Sequence, residues 1–259
     1  MPEDECWPDV IMLPGGVLPA SLAYEALQEE LGDRVHAVAK ELEVYRDDLP
    51  PAGFTLDVEV AGILRCAEEV GFERFHMVGY SGGGASSLAF AAAHPDRLQS
   101  LALLEPAWAG NQNLSPEEAA VWTEFRRLAE LPPDQMMPAF MANQLRPGIE
   151  PPAAPPGPPP AWMSSRPAGV RAFINAFISG ELDIDALRHF EQPVYFALGG
   201  LSNPDYYGRM AERLGHIFPD FTLETYPARH HFDPPHRVEP AKIAAALLRL
   251  WLRAEPHPD

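Results

Sequence analysis

At 259 residues the chain is long enough for one large domain with an insertion, and its core can be stable without a metal or a disulfide. A formal net charge of −18 repels phosphate backbones and anionic lipid, which argues against nucleic acid and membrane surfaces as partners. The two cysteines, Cys6 and Cys66, show neither metal-ligand spacing nor a disulfide framework; no apolar run reaches the ~18 residues of a membrane span, and no N-terminal stretch joins basic residues to an apolar core, so a soluble, cytoplasmic protein is expected.

Apolar runs alternate with helical patterns through the first hundred or so residues. "DVIML" (Asp9 to Leu13) reads as a strand, Ser21 to Leu31 as a helix, "VHAVAKEL" as a strand and Val58 to Val70 as a helix. "RFHMVGY", a helix over Gly82 to Ala93 and "LQSLALL" continue the series. Such alternation predicts a parallel sheet with helices on both faces. The pattern then changes. "SPEEAAVWTEFRRLAEL" opens with Ser115 as a helix cap and Pro116 at the first helical position, a second short helix is expected in "DQMMPAFMANQL", and residues 147–160 are too rich in proline for regular structure. After a helix over Val170 to Ile178 the alternation resumes with a strand in "PVYFALGG", a helix from Tyr206 to Ile217, a strand in "FTLETY" and a closing helix from Ala241 to Leu252. Residues 109–192 therefore read as a helical cap inserted into a core formed by 1–108 and 193–259.

"VGYSGGG" places Ser81 where an apolar strand meets a helix of small residues. A serine in such a tight glycine turn has its hydroxyl lifted above the sheet, with the amide hydrogens of a helix N-terminus facing whatever it attacks. The hydroxyl needs a base. The loop "RHHFDPPHR" supplies His231 as first choice, then His230 and His236, with adjacency leaving the choice among them open. For the acid that orients the imidazole, Glu105 ends the otherwise apolar strand "LQSLALL", where a carboxylate is costly without a partner or a task; Asp205 is the alternative. Oxyanion donors are expected from the backbone of Gly82 and from the turn "LPGGVLP", with Gly16 ahead of Val17.

"LPGGVLP", "VGYSGGG" and "RHHFDPPHRVEP" together resemble the α/β-hydrolase superfamily over nearly the whole chain, and "LLEPA" is similar to a bacterial subset that includes the zearalenone-lactonase-like enzymes, whose acid is a glutamate at this place. Pro14 stands where many members carry a histidine, and the usual leading hairpin is reduced or absent, which implies a mostly parallel sheet of about six strands. The resemblance implies a serine hydrolase that cleaves an ester, thioester or lactone through an acyl-enzyme, without cofactor or metal. Its expected partner is a small apolar or aromatic ester or lactone, in a pocket lined by Tyr80, Trp108, Phe140 and Trp162; a homodimer is left open. The rival readings are a hydrolase of carbon–carbon bonds in vinylogous diketones and a ligand receptor that kept the fold without turnover.

Overall fold

The structure is a computed structural model that describes residues 7–153 and 156–254. Cys6 and His257 lie outside the described residues, as do Ala154 and Pro155 of the proline-rich stretch. The first half runs β1 (Asp9–Leu13), α1 (Ala20–Leu31), β2 (His36–Ala39), α2 (Leu56–Val70), β3 (Phe75–Tyr80), α3 (Gly82–Ala93) and β4 (Leu98–Leu104). Four helices follow, α4 (Pro116–Ala129), α5 (Pro133–Asn143), α6 (Arg166–Ser179) and α7 (Ile184–Arg188). The chain then re-enters the sheet as β5 (Val194–Gly199), α8 (Arg209–Gly215), β6 (Phe221–Tyr226), α9 (Pro235–Val238) and α10 (Pro240–Ala254).

The six strands lie in the order β2-β1-β3-β4-β5-β6, and each neighbouring pair is parallel. Because side chains alternate across a strand, the apolar runs feed two cores. Ile11, Leu13, Met77, Leu101, Leu103 and Phe196 pack on one face with the side chains of α2 and α3. Val10, Met12, Val78, Ala102, Leu104 and Ala197 pack on the other with α1 and α10. Continuous hydrophobic strands are what burial on both faces requires.

Register brings the strand ends level. Leu13 pairs with Gly79, Tyr80 with Leu104 and Leu104 with Ala197, so the residues just past β1, β3, β4 and β5 gather at one carboxyl edge. The strand order turns back between β1 and β3, the place where open sheets of this kind leave a crevice.

Several boundaries differ from the sequence reading. α6 begins at Arg166 rather than Val170, because Pro167 falls in its first turn, where a missing N–H costs nothing. The expected helix over Tyr206 to Ile217 is broken into a π-helical turn, Pro204–Gly208, and the shorter α8. α7 and α9 are too short for a helical period to register. Among the described residues, no helix is long and apolar enough to cross a membrane.

Candidate active site

Ser81 joins β3 to α3 with φ 52° and ψ −116°, a backbone state that non-glycine residues rarely adopt. Its neighbours hold it there. The Ser81 N–H donates to the Leu104 carbonyl at 3.2 Å, and its carbonyl accepts from Ala107 at 2.8 Å and Ala85 at 3.0 Å. The glycines are sterically required: a Cβ at Gly79 would overlap the Ser87 hydroxyl, and one at Gly83 would overlap the Leu13 carbonyl. α3 can therefore start close against both β3 and the turn after β1.

His231 lies on the loop between β6 and α9. That loop is pinned by Arg229, which donates to Glu239 and Asp233 at 2.6 Å each and whose carbonyl accepts from the Leu201 N–H at 2.9 Å. The His231 Nε2 stands 3.0 Å from Ser81 Oγ, and Nδ1 stands 3.0 Å from Glu105 Oε2. With the carboxylate on Nδ1, that nitrogen donates and Nε2 is free to accept the serine proton. Glu105, itself at φ 48°, uses its other oxygen to accept the Gly199 N–H at 2.7 Å. All three side chains are buried: Ser81 is 7% exposed, Glu105 5% and His231 1%.

The alternatives sit elsewhere. His230 Nδ1 accepts the Phe232 N–H at 3.2 Å, so that ring serves its own loop, and burial lowers its pKa. Asp205 is exposed at the start of the π-helical turn, where its N–H donates to Asn203. His236 is fully buried between the rings of Tyr24 and Tyr80, 5.1 and 4.8 Å away by centroid, and burial lowers its pKa to about 3.

Gly82 is the first residue of α3, so its N–H has no acceptor within the helix. Gly82 and Gly16 both border the cavity above Ser81, whereas Val17 is not part of that wall. The turn carrying Gly16 is fixed by the Gly83 N–H to the Pro14 carbonyl at 2.9 Å and by the Tyr45 hydroxyl to the Gly16 carbonyl at 2.6 Å.

The cavity measures about 30 Å³, room for roughly two water molecules. Its wall is apolar and comes mostly from the helices between β4 and β5: Trp122, Phe125, Phe140, Val170, Phe173 and Phe177, with Gln144 as a polar exception. Of the expected pocket residues, Phe140 lines this wall and three others do not. Trp108 is wholly buried behind it, stacked on Phe177 at 5.7 Å with its indole N–H donating to Asn111 at 3.0 Å. Trp162 packs by the side chain of Arg166. Tyr80 turns away from the cavity, and its hydroxyl donates to the His231 carbonyl. Each is an aromatic ring placed by packing, which composition alone cannot separate from a lining residue.

The sequence reading missed two side chains. The Tyr207 hydroxyl donates to Gln144 Oε1 at 2.6 Å and lies 3.2 Å from His231 Nε2, with the phenol ring stacked 4.6 Å from the imidazole. Burial raises the Tyr207 pKa well above its ordinary value, so the hydroxyl keeps its proton. Among the described residues no cluster of His, Cys, Asp or Glu could hold a metal ion.

A family model described as alpha/beta hydrolase fold matches residues 54–232. Solved structures show the same architecture. An esterase from Thermogutta terrifontis superposes with a TM-score of 0.70 at 19% identity, over 95% of this chain and 89% of the esterase. An alpha/beta hydrolase from a Medee basin deep-sea metagenome library gives 0.73 at 12% identity, over 100% and 94%. A meta-cleavage product hydrolase from Pseudomonas fluorescens gives 0.64 at 14% identity, over 96% and 92%. No curated protein matches the sequence.

Proposed function

From the premise that the chain belongs to the alpha/beta hydrolase family, we propose that it is a serine hydrolase cleaving an ester, thioester or lactone with an apolar acyl part, through an acyl-enzyme formed on Ser81. The observation that carries the reading is the buried line Ser81 Oγ, His231 Nε2 and Nδ1, Glu105 Oε2, with both links at 3.0 Å.

In this reading, His231 takes the Ser81 proton as Oγ attacks the carbonyl carbon, and Glu105 stabilises the imidazolium that results. The backbone N–H groups of Gly82 and Gly16 donate hydrogen bonds to the carbonyl oxygen as negative charge grows on it. The imidazolium hands its proton to the leaving oxygen or sulfur. His231 then deprotonates a water that attacks the acyl carbon, and it returns that proton to Ser81 Oγ as the acid leaves. Because the Tyr207 proton is committed to Gln144, its oxygen faces Nε2 as an acceptor; it steadies the imidazole when Nε2 carries a proton. The helices between β4 and β5 act as the cap, and their aromatic wall selects the acyl group.

The esterase from Thermogutta terrifontis supports ester chemistry on this fold, and the likeness to a meta-cleavage product hydrolase supplies the rival outcome. The experiment is labelling with a fluorophosphonate together with turnover of p-nitrophenyl esters of increasing acyl length, aliphatic lactones and a vinylogous diketone. Labelling at Ser81 and turnover of esters or lactones is the expected result, with Ser81→Ala losing about 10⁵-fold or more in kcat. Turnover of the diketone alone would assign carbon–carbon cleavage. Folded protein that neither labels nor turns over any of these would be a ligand receptor.

A further inference from the structure

Arg166 opens α6 and is 2% exposed, yet its Nε and Nη1 have no hydrogen-bond partner among the described residues. Glu41 Oε2 stands 3.9 Å from Nη2, beyond hydrogen-bond range. Both Glu41 oxygens are already engaged, Oε2 by the Ala20 N–H at 3.2 Å and Oε1 by the Leu42 N–H at 3.1 Å. What holds the guanidinium is aromatic. Its Cζ lies 3.9 Å from the centre of the Tyr45 ring and 5.4 Å from that of Trp162. Cation–π contacts offset part of the desolvation of a buried charge but satisfy none of the idle N–H groups.

The position of this charge connects it to the site. Residues 166, 170, 173 and 177 fall on one face of α6, and Val170, Phe173 and Phe177 wall the cavity over Ser81. Arg166 is thus one helical turn beyond the end of an apolar wall. Tyr45, on which it stacks, donates to the Gly16 carbonyl in the turn beside Ser81. A buried cation with free donors, one helical turn from the apolar wall over a nucleophile, suits a ligand with an apolar middle and an anionic end.

Resting on the serine-hydrolase reading, we propose that Arg166 is a recognition point for a carboxylate at the end of the substrate's acyl part remote from the scissile carbonyl, so that the preferred substrates are monoesters of apolar dicarboxylic acids. A carboxylate fits better than a dianionic phosphate, because the guanidinium carries one charge and Glu41 already faces it at 3.9 Å.

The test uses monomethyl esters of straight-chain dicarboxylic acids, from succinate to sebacate, beside their dimethyl counterparts. Binding to Ser81→Ala by calorimetry reads Arg166 without any turnover, so it remains informative even if the hydrolase reading fails. At one chain length or more the monoester should bind at least tenfold tighter than the diester, and the ratio should fall to near one in the double variant Ser81→Ala, Arg166→Gln. Kinetics of the otherwise intact enzyme should show the same preference in kcat/KM. A diester preference at every length, or an equal monoester advantage with and without the arginine, would overturn the proposal. If the glutamine variant fails to fold, Arg166→Lys, which keeps the charge but not the planar fork, replaces it: a monoester advantage reduced severalfold supports the proposal, and an unchanged one overturns it.

Discussion

Glu105 holds φ 48°, a conformation that costs a non-glycine residue on the order of 1–3 kcal/mol. The gain is that one carboxylate reaches two partners, the Gly199 N–H and His231 Nδ1. Glu105→Gln keeps an acceptor for Gly199 and the side-chain volume but loses the charge facing the imidazole. It should lower kcat by about 10³–10⁴-fold with little change in Tm, whereas Asp205→Asn should leave kcat within about twofold; steady-state kinetics on the best ester separate the two. The carboxylate was legible in the sequence because an acid ending an apolar strand is costly unless used. For the histidine, the sequence ranked His231 ahead of its neighbour His230 without separating them; in the structure His231 faces Ser81 while His230 bonds the Phe232 N–H of its own loop. Tyr207 gave no signal at all, because its approach to Nε2 depends on a π-helical turn. Tyr207→Phe preserves the stack and removes the oxygen. If Tyr207 positions the imidazole, kcat should fall about tenfold with KM within about twofold, since the ring protonated during turnover loses an acceptor. A full kcat would reduce Tyr207 to packing.

At the level of elements, the sheet was readable because the inner strands β1, β3, β4 and β5 are continuous buried apolar runs and α1, α2 and α10 carry a helical period between or after strands. The helices between β4 and β5 were readable as helices, though not in their arrangement. What seats α6 over the site is an absence of side chain: a Cβ at Gly169 would overlap the Tyr45 ring, so only glycine lets the helix cross that close to the turn bearing Gly16. No periodicity reports such a contact. Gly169→Ala should therefore displace α6 from the turn while favouring helix formation by up to ~1 kcal/mol. The expected outcome is a folded protein whose kcat/KM falls about tenfold or more, as a displacement near 1 Å of a positioning surface does elsewhere. Unchanged kcat/KM would show that this crossing does not shape the site.

Over the whole molecule, the buried titratable groups that the chemistry does not use set how stability follows pH. Burial lowers the pKa of both His76 and His236 to about 3, so each is neutral in the folded chain and takes up a proton near 6.5 when unfolded. A depressed histidine pKa contributes stability that is present above about 6.5 and is lost as pH falls toward 3, at ~1.4 kcal/mol per pH unit for each ring. Glu59 works the other way. Burial outweighs its two backbone N–H partners and raises its pKa to about 7, so its contribution is full below 4.5 and is lost as pH rises through 7. Between 6.5 and 4.5 it offsets about one of the two histidines; below 4.5 both act unopposed, and Tm should fall more steeply there. The two rings can be told apart. His76 shares a 2.8 Å hydrogen bond with Ser100, while both nitrogens of His236 lack partners among the described residues. His236→Phe keeps a ring between Tyr24 and Tyr80 and removes two unsatisfied buried nitrogens, so Tm at pH 7.5 should hold or rise. Lowering the pH from 7.5 to 4.5 should then cost the variant clearly less in Tm than it costs the unmodified chain. Equal losses would mean that His236 is not the ring whose protonation unfolds the protein in acid.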